Sequence, residues 1–246
     1  MLVIPAIDIR NGRCVRLQQG RANAETIFGD DPAAMAQRWV AEGAALIHVV
    51  DLDGAFEKRP RNMDVIKRIL AAINVPIQVG GGIRDMATIE AYLTAGVKRV
   101  IIGTKAVEDP QLIERAAEEF PNRIVLGVDA RKGYVATEGW TTTTEMSASK
   151  LVATFKRIPL AAINFTDIHR DGMQTGPNIE QTRRLAQTTP IPVVASGGVS
   201  TITDIEGLLP LEADGVVGVI VGQALYRGTL QLREALALAN RGRAAG

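Results

Sequence analysis

Short runs rich in Val, Ile and Ala alternate along the whole chain with longer stretches in which apolar residues recur at helical spacing. A short apolar run bounded by turn residues marks a strand buried on both faces, and the amphipathic stretch between two such runs is the crossover helix of a parallel sheet. The pattern predicts eight strands: Val3 to Asp8, Leu46 to Asp51, Pro76 to Val79, Arg99 to Ile102, Ile124 to Asp129, Ala161 to Thr166, Pro192 to Ser196 and Gly215 to Val221. Helical patterns follow in turn near Pro32 to Glu42, Asn62 to Ile73, Met86 to Ala95, Pro110 to Phe120, Ser147 to Ile158, Asn178 to Thr188, Thr201 to Leu208 and Leu230 to Asn240. Asp31-Pro32 and Asp109-Pro110 read as helix starts, with Asp capping and Pro in the first turn.

Eight strand-helix units favour a closed α/β barrel, the (β/α)8 or TIM-barrel class, over an open doubly wound sheet, because closure leaves no unpaired edge. A Rossmann arrangement fits less well. Its glycines should follow the first strand, whereas here they follow the third and seventh, and no acidic residue ends the next strand as a ribose partner would. The two halves also resemble each other. Pro76 and Pro192, like Asp51 and Asp167, are 116 residues apart, Asp8 and Asp129 are 121 apart, and Gly103 and Gly222 are 119 apart. We therefore expect one domain, 1–246, made of two half-barrels, about 1–122 and 123–246, joined near Pro121-Asn122.

Composition adds exclusions. The 246 residues carry 28 Lys+Arg against 27 Asp+Glu, so no global field draws nucleic acid or an anionic membrane. Cys14 is the only cysteine, which leaves no intrachain disulfide or cysteine metal cluster and fits a reducing cytoplasm. No apolar run approaches a bilayer span, and no exposed apolar repeat demands a partner, so a cytoplasmic monomer is expected. Arg241 to Gly246 is expected to be a frayed tail.

The candidate chemistry gathers where a barrel places it, at the C-terminal ends of the strands. Val75-Pro76-Ile77-Gln78-Val79-Gly80-Gly81-Gly82-Ile83-Arg84 is a buried strand running into glycines, and Ile191 to Val199, with Ser196-Gly197-Gly198, repeats it. Bare backbone N–H groups ahead of a helix suit a phosphate dianion. Gly81 and Gly82 should lie beside Gly103-Thr104, and Ser196, Gly197 and Gly198 beside Gly222-Gln223, giving two cradles for a ligand with two phosphates. A lone Gly-Gly can equally be a tight turn, but four such loops in two symmetric pairs are harder to explain that way.

Asp8 ends the first strand and Asp129 the fifth, so the two face each other across the mouth. There one can take a proton while the other gives one. A strand-terminal Asp often only caps the next loop or helix, and that reading covers Asp51, Asp85 and Asp109. His48 and His169 are too far apart to form a metal site, so no metal and no cofactor is implied. His48 reads as a rim or core histidine, His169 as solvated, Trp39 as core. Trp140, after an excursion over Gly133 to Gly139, reads as a cover or as a stacking surface for a flat heterocycle.

These residues resemble a known family over essentially the whole chain. Ile4-Pro5-Ala6-Ile7-Asp8 with Gly12 to Gly20, then Val79 to Arg84, Gly103-Thr104, Asp129, Gly139-Trp140, Thr166-Asp167-Ile168 with Arg170-Asp171-Gly172, and Ser196-Gly197-Gly198 occur in the order of the histidine-biosynthesis isomerases acting on phosphoribosylformimino-aminoimidazole carboxamide ribonucleotide. The resemblance implies an Amadori rearrangement of an aminoaldose to an aminoketose, without cofactor or metal, on a small bis-phosphate ribonucleotide. It implies Asp8 as base, Asp129 as acid and Thr166 bonded to the opening sugar. Asp171 and Arg170 would sit on a mobile closing loop, Gly20 on a second loop, and Arg16, His48, Arg84 and Trp140 would orient the carboxamide and imidazole.

Three alternatives stand beside it. The cyclase of the next step usually has Cys in place of Ala6 and a Lys-rich stretch in place of Val15 to Gly20. A dual-substrate isomerase also converts phosphoribosylanthranilate, using an Arg near position 138, where Glu138 here would repel the anthranilate carboxylate. A non-catalytic sugar-phosphate-binding barrel is opposed by the intact Asp8 and Asp129.

Overall fold

A computed structural model describes residues 1–241. Twelve strands form one sheet: β1 (Leu2–Arg10), β2 (Arg13–Leu17), β3 (Glu25–Gly29), β4 (Ile47–Asp51), β5 (Ile77–Gly80), β6 (Arg99–Ile102), β7 (Ile124–Arg131), β8 (Tyr134–Thr137), β9 (Thr142–Ser147), β10 (Ala162–Asp167), β11 (Val193–Ser196) and β12 (Val216–Val221). Eight of these, β1, β4, β5, β6, β7, β10, β11 and β12, pair in parallel around a ring that closes where Leu2 to Pro5 meet Gly218 to Val221. The barrel is the (β/α)8 class expected from the sequence. The eight predicted strands are its eight staves.

Alternation along each stave sorts side chains into two cores. Ile4, Ala6, Leu46, Val125, Ala162, Val194 and Ile220 fill the barrel interior. The opposite faces, among them Ile7, Ile47, Val49, Ile77 and Val128, pack under the surrounding helices. The helix Met63–Ala72 buries Ile66 and Ile69 completely, three residues apart on one face. Each such side chain contributes about 1.5–3 kcal/mol, so truncating either one to Ala is costly. Trp39 is buried at 1% exposure, as expected of a core residue, with its ring edge-on to Tyr226.

The Asp caps hold. Asp31 accepts from Ala33 N ahead of Pro32, and Asp109 accepts from Leu112 N ahead of Pro110. Asp51 is buried and accepts from Gly54 N, Arg61 N, Asn62 N and Asn62 Nδ2 at 2.7–2.9 Å. Asp167, 116 residues on, accepts from Asn178 Nδ2 at 2.6 Å, and Asn178 is itself 116 residues beyond Asn62. These clasps tie each loop to its following helix.

Neither hairpin at the mouth was anticipated. After β1 the chain runs into the antiparallel pair β2–β3, and after β7, where only a loop excursion was expected, into β8–β9. Both hairpins rise from the C-terminal face and wall the mouth. The helix expected over Ser147 to Ile158 is shorter, Ala148–Thr154. The helix Leu232–Arg241 ends the described part of the chain, so the remainder of the expected frayed tail, residues 242–246, lies outside the described residues.

Candidate active site

Of the residues singled out for the site, all but Arg170 border one cleft of about 250 Å³ at the C-terminal mouth of the barrel. The parallel register explains the convergence. Thr166 stands beside Asp129 on one side and Ser196 on the other, while Asp8 stands beside Val50.

Asp8 does not stand alone. The hairpin strand β2 brings Arg16 over the mouth, where its Nη1 lies 2.9 Å from Asp8 Oδ2, with both side chains largely buried. The contact lacks hydrogen-bond alignment at Nη1, so it is an ion pair rather than a directed bond. Burial pushes the Asp8 carboxyl above its ordinary range, and the Arg16 charge pulls it back. Burial also works against the Arg16 cation, but Asp8 and Asp171 outweigh it and the guanidinium stays charged. Arg16 reaches this place because residue 222 is glycine, since a Cβ there would lie 1.4 Å from Arg16 Nη2. Arg16 was expected to contact the substrate ring system; its position shows that its first partner is Asp8.

Asp129 is held differently. Burial pushes its carboxyl up as well, but the opposing influences are hydrogen bonds from Trp140 and Thr166. Trp140 comes from the β8–β9 turn with φ +71°, and Arg131 donates to its carbonyl at 3.1 Å. Its ring lies so close to Gly20 that a Cβ at that position would sit 2.5 Å from it. The turn of the first hairpin therefore touches the Trp of the second across the mouth.

Asp171 is half-buried between the two sides, and loss of solvent together with Asp8 and Asp129 raises its carboxyl to about 7, against the pull of Arg16. Its backbone oxygen accepts from Gln19 N at 3.2 Å, which seats the 167–172 loop on the 17–20 turn. Arg170 departs from expectation. Its guanidinium turns away and donates to Gly176 O at 2.8 Å, bracing the loop from behind instead of entering the cleft.

On the barrel wall, Gln78 Nε2 lies 3.0 Å from His48 Nδ1. An amide nitrogen can only donate, so Nδ1 accepts and the hydrogen of a neutral ring sits on Nε2. Burial and the Arg16 charge hold His48 down at about 3, keeping it neutral. His169 is exposed and its side chain stays outside the cleft, as expected.

Gly81 and Gly82, and in the other half Gly197 and Gly198, all take positive φ. A Cβ at Gly81 would lie 2.1 Å from Asp51 O, and one at Gly198 would lie 2.3 Å from Gly176 O. These close approaches and positive φ values show that the glycines let the loops pack, as the turn reading expects. Gly103 and Gly222 begin the short helices Thr104–Glu108 and Gln223–Arg227, neither with a side-chain cap. Arg84 borders the cleft but is engaged by Glu108 at 2.7 Å, Thr104 Oγ1 accepts from Glu138 N, and the Gln223 amide oxygen accepts from Arg227.

Sequence reasoning missed Asn164 and Lys58. Lys58 reaches Glu138 at 2.5 Å, bridging the loop after β4 to the second hairpin. Asn164 interrupts the apolar run of β10, and that interruption was the available signal. Among the described residues no cluster of three or more His, Cys, Asp or Glu could hold a metal ion.

A closed parallel barrel whose mouth gathers two largely buried, differently partnered carboxylates between glycine loops defines a (β/α)8-barrel enzyme. The family model described as histidine biosynthesis protein matches residues 2–231, and the chain belongs to that family. It is 61% identical over 242 residues to a protein of Desulfatibacillum aliphaticivorans, covering 98% of this chain and 97% of the relative. Relatives from Desulfosudis oleivorans and Trichlorobacter lovleyi are 60% and 54% identical, with 98% of this chain covered in both and 96% and 99% of the relatives. All three bear the name 1-(5-phosphoribosyl)-5-((5-phosphoribosylamino)methylideneamino)imidazole-4-carboxamide isomerase.

Proposed function

We propose that this protein is the isomerase that converts the phosphoribosylamino aldose of that ribonucleotide to the phosphoribulosyl aminoketose. The observation that carries the reading is the unequal pair Asp8 and Asp129. Burial pushes both carboxyls up, but Asp8 is opposed by the charge of Arg16 and Asp129 by hydrogen bonds from Trp140 and Thr166, so the two groups are held by different kinds of partner. Asp129 gives its proton to the ring oxygen as the C–O bond of the furanose breaks, and the nitrogen lone pair forms the Schiff base. Asp8 then takes the proton from the sugar's second carbon, the electrons forming the enolamine, which ketonises to product.

Thr166, in register with Asp129, bonds the opened sugar. Gly81 and Gly82 with Gly103-Thr104 hold one phosphate, and Ser196, Gly197 and Gly198 with Gly222-Gln223 hold the other. The ligand is thereby stretched between the aspartates, under Trp140 and His48. The chain acts as one barrel of two half-barrel repeats, as a monomer in the cytoplasm, without metal or cofactor. No described helix is long and apolar enough to cross a membrane.

The test is turnover of the purified protein with the ribonucleotide, alone and beside phosphoribosylanthranilate. Conversion of the first and not the second is expected, because Glu138 stands at the mouth. Conversion of both would make it a dual-substrate enzyme, and binding without conversion would leave only a binding barrel.

A further inference from the structure

Asn164 is 4% exposed, borders the cleft, and has a hydrogen-bond partner on neither its amide nitrogen nor its oxygen. A buried amide left wholly unpaired is costly and rare outside functional sites. Its neighbours explain the vacancy. On the ring, Asn164 is flanked by Gly127 on β7 and Val194 on β11, neither of which offers a side-chain polar atom. The half-barrel offset of 116 sets Asn164 against His48, and sets Val194 against Gln78. In the first half Gln78 satisfies His48 at 3.0 Å, and in the second Val194 leaves Asn164 without a counterpart.

Along β10 the side chains of Ala162, Asn164 and Thr166 share the interior face, with Ala162 in the barrel core and Thr166 beside Asp129. Asn164 thus lies one step, roughly 6.6 Å of strand, beneath the Thr166–Asp129 pair. The stave beyond it, β11, ends at Ser196 before Gly197-Gly198.

We infer that Asn164 is a substrate-binding residue of the cleft floor, receiving a hydroxyl of the phosphoribosyl arm whose phosphate rests on the Ser196-Gly197-Gly198 loop. A sugar hydroxyl both donates and accepts, as does the primary amide, and the position between Asp129 and Ser196 is where the sugar of that arm must pass. The inference rests on the isomerase reading above and adds a specificity element to it, since a ligand lacking the hydroxyl leaves the amide unpaired.

The experiment measures steady-state kinetics on the ribonucleotide and thermal melting of the full chain, in wild type, Asn164→Val and Asn164→Ser. Asn164→Val should lose roughly ten- to a hundredfold in kcat/KM, mainly through KM, with Tm unchanged or raised because no native bond is removed. Asn164→Ser, which keeps a donor and an acceptor, should recover part of the loss, and it carries the test if the valine variant does not fold. Both variants within about threefold of wild type would overturn the assignment. So would a lowered Tm with unchanged KM, the signature of an amide satisfied by a structural water. A wild-type chain that neither binds nor converts the ribonucleotide would remove the isomerase reading and this inference together, whereas normal wild-type turnover with indifferent variants would remove this inference alone.

Discussion

The ends of β1 and β7 occupy equivalent places in the two halves, each bearing an Asp and each followed by a hairpin, yet the hairpins deliver opposite kinds of neighbour. The first supplies Arg16 from within a strand, and the second supplies Trp140 from its turn. A cation stabilises a carboxylate by charge, whereas an indole N–H offers one neutral bond and a hydrophobic wall. One backbone plan thus gives two carboxyl groups whose protons are governed by different neighbours. The frame pairs Asp51–Asn62 and Asp167–Asn178 are the same in both halves, and the difference lies in the hairpin residues that meet each carboxyl, Arg16 and Trp140.

The largest test of this asymmetry removes each carboxylate in turn. Asp8→Asn and Asp129→Asn should each lower kcat by about 10²- to 10⁴-fold with substrate affinity retained, measured by turnover and calorimetry. The pH profiles then separate them. Asp8 works ionised, so its protonation causes the acid limb of kcat/KM; Asp129 works protonated, so its ionisation causes the alkaline limb. The residual activity of Asp129→Asn should therefore lack the alkaline limb, and its persistence would reverse the roles.

Next in size is a pair of matched glycines. Gly222→Ala places a methyl group into the Arg16 guanidinium and should cost roughly ten- to a hundredfold in kcat/KM through loss of the Asp8 partner. The equivalent Gly103→Ala meets nothing closer than Gly127 O at 3.6 Å, an ordinary contact, and keeps its backbone N–H, so it should cost clearly less than Gly222→Ala. Equal losses would show that Arg16 has no special part in tuning Asp8.

The smallest effect concerns stability. Asp171 is raised to about 7 when folded, so the folded state holds its proton more tightly than the unfolded state. Its contribution is complete at acid pH and is lost as pH rises from the ordinary carboxyl range through about 7. Asp171→Asn should therefore melt a few degrees above wild type at pH 8, with the difference closing toward pH 4, an order-of-magnitude expectation checked by Tm against pH.

The barrel was legible because its staves are buried on both faces and read as uninterrupted apolar runs. The aspartates and glycines were legible because they stand where those runs stop. The hairpins were not, for a physical reason. In Arg13-Cys14-Val15-Arg16-Leu17 the polar residue Arg16 is buried by pairing with Asp8, which breaks the rule that polar positions face water, and Thr142–Ser147 is a mostly polar strand with little apolar signal. Arg170 looked like a ligand contact because its motif adjoins Asp171, but only the path of the loop decides which of two neighbours enters the cleft. Asn164 was visible as a polar break in a buried strand, and its meaning needed the absence of a partner at Val194.

The packing of Trp140 on Gly20 also gives the molecule an optical probe of its own. The chain has two tryptophans, and Trp39 is sealed in the core at 1% exposure, so its emission forms a constant blue background. Trp140 lies against Gly20 of the other hairpin and lines the cleft together with Asp129. A change in fluorescence on adding ligand would therefore come from one ring at the mouth, and its time course would follow occupancy of the cleft without any label.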